Sequence, residues 1–209
     1  VTLGFLPSAT SDTREHLAAA APAPTVRAER NGGGGAPGKR ADCGRVVVPF
    51  VAGMLQPRTL AAVWRNGARA ELAYLDRSDP TAYARLVCDL WETGQGFTIV
   101  EQDIVAPDGS LAALHDCEHP WCVHPYSVGR APTSPMLGLV RFSTALVAAM
   151  PALARKSLAR RPKRGGWTKY RGVDLALARP LQRAGIVHHD HWPVAEHLHD
   201  YADPTDPGR

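Results

Sequence analysis

The segment Gly96-Phe97-Thr98-Ile99-Val100-Glu101-Gln102-Asp103 limits the possible fold more than any other stretch of the chain. An apolar run this short, rich in β-branched and aromatic residues, reads as a strand covered on both faces. A strand covered on both faces needs helices on either side of its sheet. Its acids then emerge together at the C-terminal end. Carried through as a strand, the alternation puts Glu101 and Asp103 on one face, about 7 Å apart. Two carboxylates crowded there repel each other unless a cation or donor compensates. A hard divalent ion, Mn²⁺ or Mg²⁺, is the natural compensation, because it keeps waters and shares one or two carboxylates with a diphosphate. Solvated acids on an edge turn are the simpler alternative.

The surrounding order supports a layered α/β domain. Val46-Val47-Val48-Pro49-Phe50 reads as a first buried strand, followed by a helix over Pro57–Trp64 with proline in its first turn. Ala70–Leu75 is a second strand ending at Asp76. A helix then starts at Ser78-Asp79-Pro80, with Asp79 as a cap, and runs through Trp91 to a stop at Gly94. After the acid pair come a turn at Pro107-Asp108-Gly109, a short helix over Leu111–Leu114 and a strand over Trp121–Tyr126. A long helix over Phe142–Ala159, a basic loop, a helix over Val173–Ala184 and a last strand over Ile186–Trp192 complete the order. Strands alternating with helices predict a mostly parallel sheet with right-handed crossovers. Ligands on such sheets sit beyond the carboxyl ends of the strands.

Residues 1–44 differ in composition. Ala18–Pro24 and the Gly32–Gly35 run carry too little apolar surface to offset chain entropy, so they read as a disordered or spurious extension. Val1 at the start points to a non-standard start codon, an over-extended reading frame or a processed chain. Residues 45–201 then form one folded domain, and 202–209 a flexible tail. The net charge of +4 and pI near 9.0 favour anionic partners mildly and decide nothing alone. No apolar run approaches the roughly 20 residues of a membrane span, and the first residues lack the apolar core of a signal peptide. With four cysteines in no framework spacing, reduced thiols and a cytoplasmic location are expected.

Two further clusters carry chemistry. Five of the nine histidines lie between His188 and His199. By composition they could bind zinc, but Cys117 and Cys122 are loosely spaced and would need long-range assembly. Surface imidazoles are the simpler reading, above all for His188 and His189. Arg155, Lys156, Arg160, Arg161, Lys163 and Arg164 form a basic run with no acid between them. They are either a solvated helix end or a contact to nucleic-acid phosphates.

The triplet Glu101-Gln102-Asp103, set after a β/α half, resembles the acid–x–acid motif of GT-A-type glycosyltransferases, with glutamate at the first position where aspartate is usual. The layout around Trp121–Tyr126 and His197-Leu198-His199 is similar to small glycosyltransferase-like proteins of actinobacteria and their phages. The resemblance implies a nucleotide-diphospho-sugar transferase fold. Asp103, with Glu101 directly or through water, would hold Mn²⁺ or Mg²⁺ on the diphosphate of a nucleotide sugar, a UDP-sugar being expected. His199, or else His197, would complete the shell. It also implies that Pro49, Phe50, Val51, Asp76 and Arg77 line the nucleotide pocket, that Gly138–Arg141 forms a loop under the donor sugar, and that Asp174 is the base. Asp174 fits a plain helix-capping role equally well. The acceptor implied by the phage relatives is a hydroxymethylated DNA base. The acceptor half is small, so a homodimer or a large acceptor would complete the cleft. The alternatives are a zinc- and nucleic-acid-binding protein, or a metal-dependent nuclease or phosphatase.

Overall fold

The computed structural model describes residues 44–128, 131–133, 137–159 and 171–198. In chain order the elements are β1 (Val46–Phe50), α1 (Pro57–Arg65), β2 (Ala70–Tyr74), α2 (Ala82–Glu92), β3 (Phe97–Val100) and β4 (Ile104–Val105). Next are α3 (Ser110–Asp116), β5 (Trp121–Val123), β6 (Tyr126–Val128), β7 (Ala131–Thr133) and β8 (Leu139–Phe142). The last are α4 (Thr144–Ala149), α5 (Leu153–Leu158), α6 (Arg171–Arg183), β9 (His189–Asp190) and β10 (Glu196–His197).

Six strands form the central sheet in the order β2-β1-β3-β8-β5-β9. The pairs β1–β2, β1–β3 and β5–β9 are parallel, whereas β8 runs antiparallel to both β3 and β5. The sheet is therefore mixed, because one reversed strand sits between two that point the same way. That strand corrects two expectations. Gly138–Arg141 is not a loop, since Leu139–Phe142 is a central strand, and the long helix over 142–159 does not form. Ser143 caps α4 by accepting from Leu146 N at 3.1 Å, and the chain breaks at Met150-Pro151 before α5 begins. The expected last strand is reduced to His189–Asp190.

Alternation along the strands divides the core. Val47, Phe97, Ile99, Trp121, Val123, Val140 and Phe142 pack against α2, α4, α5 and α6 on one face. Val46, Val48, Val100, Cys122 and Leu139 pack with α1 and α3 on the other. The buried strands read in the sequence thus behave as expected, each supplying both layers. Two small pairs lie outside the main sheet: β6–β7, and β4–β10 with His197 opposite Ile104. Among the described residues, no helix is long and apolar enough to cross a membrane.

Candidate functional site

The strand β3 stops at Val100, and Glu101-Gln102-Asp103 is a turn closed by Ile104 N donating to Glu101 O at 3.0 Å. The acids therefore emerge at the C-terminal end of a buried strand, but strand alternation does not set their relation. The reason is Gln102. It is buried, its Oε1 accepts from Val51 N at 2.7 Å, and its carbonyl accepts from Gln56 N and Thr59 Oγ1, each at 3.0 Å. Three bonds to the loop after β1 and the start of α1 pin the middle of the turn. The two acids are left on its flanks.

Glu101 Oε1 accepts from the Tyr83 hydroxyl at 2.9 Å. Burial, then the neighbouring carboxylates of Asp174 and Asp103, push the Glu101 carboxyl well above the usual range, against the opposing pull of that hydroxyl. Asp174 lies in the first turn of α6, is only 5% exposed, and its Oδ1 accepts from Leu137 N at 3.0 Å. Tyr126 belongs to the same cluster. Burial first, then Glu101, Asp174 and Asp103, raise its hydroxyl far above the ordinary phenol. Gly138 permits the arrangement, since a Cβ there would stand 2.2 Å from Tyr126 Cε1.

On the outer flank, Asp103 Oδ2 meets His197 Nε2 at 3.2 Å, the two side chains being 20% and 18% exposed. The pair is partly open to solvent. The meeting depends on β4–β10, fastened by Leu198 N donating to Asp103 O at 2.8 Å. The Tyr126 and His197 rings lie 5.2 Å apart, which ties the histidine to the inner cluster.

The structure thus gathers Glu101, Asp103, Asp174 and His197, all foreseen from sequence. It adds Gln102, Tyr83 and Tyr126. Tyr83 lies on the buried face of α2, and nothing in its spacing announces a hydroxyl for Glu101. His199 lies outside the described residues. The expected nucleotide residues sit where β1 and β2 end: Phe50 with its ring 5.9 Å from that of Tyr74, Val51 bound to Gln102, and Pro49 within β1. Asp76 and Arg77 are exposed. Asp76 Oδ1 accepts from Ser78 N and Oγ at 2.8 and 2.7 Å, which holds its carboxyl below the usual range. Asp79 makes the same turn to Thr81, so it organises the helix start, and Thr81 is the capping position.

Of the basic run, Arg155 pairs with Glu92 at 2.5 Å. Lys156 lines a groove of about 640 Å³ with Arg179 and Arg183. Arg160, Arg161, Lys163 and Arg164 lie outside the described residues.

Elsewhere on the sheet, Cys117, Cys122, His189 and His191 converge. His189 is therefore no isolated surface imidazole, and the long-range assembly that the cysteine spacing lacked is supplied by β5 pairing with β9. The CxxxxC and HxH spacings were visible in the sequence; their meeting was not. His188 instead contacts Asp190 at 3.5 Å and packs 5.1 Å from the Trp121 ring. Among the described residues, this is the group of three or more potential ligands drawn closely enough together to hold an ion. At the acid site, Asp103 and His197 form a two-donor foot beside the more deeply set Glu101.

No protein-family model matches the chain, and no curated protein matches it.

Proposed function

We propose that the chain is a metal-dependent glycosyltransferase that uses a nucleotide-diphosphate sugar. The observation that carries this reading is the gathering of Glu101, Asp103 and Asp174 around the C-terminal end of β3, with His197 at 3.2 Å from Asp103. Asp174 and Asp103 both act on the buried Glu101 carboxyl and push it strongly toward its protonated form, and a cation at the rim would relieve that repulsion. The donor set is oxygen-rich with one imidazole. Mn²⁺ and Mg²⁺ need few protein ligands, because waters and a diphosphate supply the rest, so the Asp103–His197 foot fits such an ion. When bound, the ion would neutralise charge developing on the leaving diphosphate.

The residues around it divide the remaining work. Asp103 and His197 would hold the ion, and Glu101, pushed toward its protonated form and bonded to Tyr83, would stand behind them. Phe50 and Val51, at the end of β1, would face the nucleoside, with Asp76 and Arg77 at the open rim. During transfer, the bond from the anomeric carbon to the diphosphate oxygen breaks as a bond to the acceptor oxygen forms. Asp174 takes the acceptor hydroxyl's proton. Tyr83 and Leu137 N–H fix the two inner carboxylates against rotation.

The test is a screen of nucleoside diphosphates and nucleotide sugars with Mn²⁺, read by thermal shift and by release of nucleoside diphosphate. Asp103→Ala should lose metal-dependent binding. Asp174→Asn keeps an oxygen for Leu137 N–H, so it should bind donor and lose turnover by about 100-fold or more. Absence of any Mn²⁺-dependent stabilisation across the screen, in wild type and Asp103→Ala alike, would remove the reading.

A further inference from the structure

We infer that Cys117, Cys122, His189 and His191 form a structural zinc site that fastens the C-terminal segment to the edge of the central sheet. Cys117 directly follows α3, and Cys122 lies in the middle of β5. His189 opens β9, and the parallel register sets it opposite Cys122; His191 follows one residue after β9. One ligand atom from each of the four comes within 4.8 Å of every other.

The distances agree with a tetrahedral ion. With Zn–S about 2.3 Å and Zn–N about 2.0–2.1 Å, ideal geometry separates sulfur from nitrogen by roughly 3.5 Å and two nitrogens by roughly 3.3 Å. Cys117 Sγ lies 3.5 Å from His189 Nδ1, and that atom lies 3.2 Å from His191 Nε2. The remaining edges lie within 4.8 Å, and drawing them in to roughly 3.3–3.8 Å completes the polyhedron. Two thiolates and two imidazoles favour zinc over the hard ions suited to the acid site. Four protein ligands leave no open position, which makes the site structural rather than catalytic.

The surroundings hold the ligands in place. Arg141 Nη1, on β8, donates to the carbonyls of Cys117 and His119 at 3.0 and 3.2 Å, fixing the loop that carries Cys117 and leads into the strand of Cys122. The His119 ring stacks on His189 at 4.2 Å, and His191 N donates to Val123 O at 2.8 Å. The strand being fastened is only two residues long, so its own ladder is weak. The same segment runs on to β10 and delivers His197 to Asp103.

The inference does not rest on the transferase reading. Zinc without Mn²⁺-dependent nucleotide binding keeps this site and removes that reading, and the opposite result does the reverse. The full chain, purified under reducing conditions without chelator, should carry about one zinc per molecule by elemental analysis. Cobalt in its place should give the thiolate charge-transfer and tetrahedral visible bands. The Cys117→Ser, Cys122→Ser double variant should lose both signals. Should that variant fail to fold, alkylation of the wild-type protein still decides. Zinc should shield Cys117 and Cys122 at least 10-fold while Cys88 reacts as before. Three outcomes overturn the site: both thiols alkylated equally with and without equimolar zinc, zinc retained by the double variant, or a Cys117–Cys122 disulfide in the reduced preparation.

Discussion

Gln102 shows how one side chain sets the relation between its two acidic neighbours. Its Oε1 satisfies Val51 N–H in a buried place, so Gln102→Ala leaves that donor stranded. The expected loss is about 1–3 kcal/mol in urea unfolding. A loss under about 0.5 kcal/mol would show that water replaces the amide. Glu101 gives a prediction of opposite sense. Glutamate in an unfolded chain titrates near about 4.3, and burial with Asp174 and Asp103 raises it in the folded chain. Between those two values the folded state holds the extra proton. Stability is therefore full below about pH 4.3, falls as pH rises toward the folded value, and is flat above it. Glu101→Gln keeps an oxygen for Tyr83 and removes the charge. Without divalent ions, unfolding curves across pH should show the variant more stable than wild type at pH 7–8 and free of this slope. An unchanged slope would mean that another group carries it.

At the scale of elements, the boundary between legible and illegible falls where pairing over distance begins. β1, α1, β2, α2 and β3 follow from local pattern: short apolar runs, proline in a first turn, glycine stops. The segment 138–159 does not. Phe142 to Leu153 is apolar enough for a helix, yet Leu139–Phe142 is taken by the gap between β3 and β5, where both edges need a partner. Pro151 then divides what remains. The pair β4–β10 is two residues long on each side and left no readable pattern, although it alone explains why His197 stands beside Asp103. This pair can be tested by itself. Leu198→Pro deletes the N–H that donates to Asp103 O, and the residue before proline must be extended, which His197 already is. The loss of one such bond should weaken Mn²⁺-dependent nucleotide binding by about 2- to 10-fold with the core unaffected. Unchanged Mn²⁺ affinity in a folded variant would detach His197 from the ion site.

At the scale of the whole molecule, the sheet has two sides with different tasks. The acid cluster borrows Tyr83 and Asp174 from helices on one face and Tyr126 from the core of the other. The sequence announced Glu101 and Asp103 because they end an apolar strand. It could not announce Tyr83 or Tyr126, whose hydroxyls matter only once both layers close on β3. The acceptor is also decided at this scale, and the cations of α5 and α6 bear on it. Lys156, Arg179 and Arg183 come from two helices to line one groove, in a chain of net charge +4. If the acceptor is a nucleic acid held there, each phosphate contact should add about 0.9 to the negative slope of log affinity against log salt concentration. Replacing the three residues by alanine should then flatten the slope by about 2.7 while leaving Mn²⁺-dependent nucleotide binding intact. Fluorescence anisotropy with a labelled duplex across a salt series measures both quantities. A wild-type slope near zero, or one that the triple variant does not change, would rule out this groove as the nucleic-acid contact and direct the search to small hydroxylated acceptors.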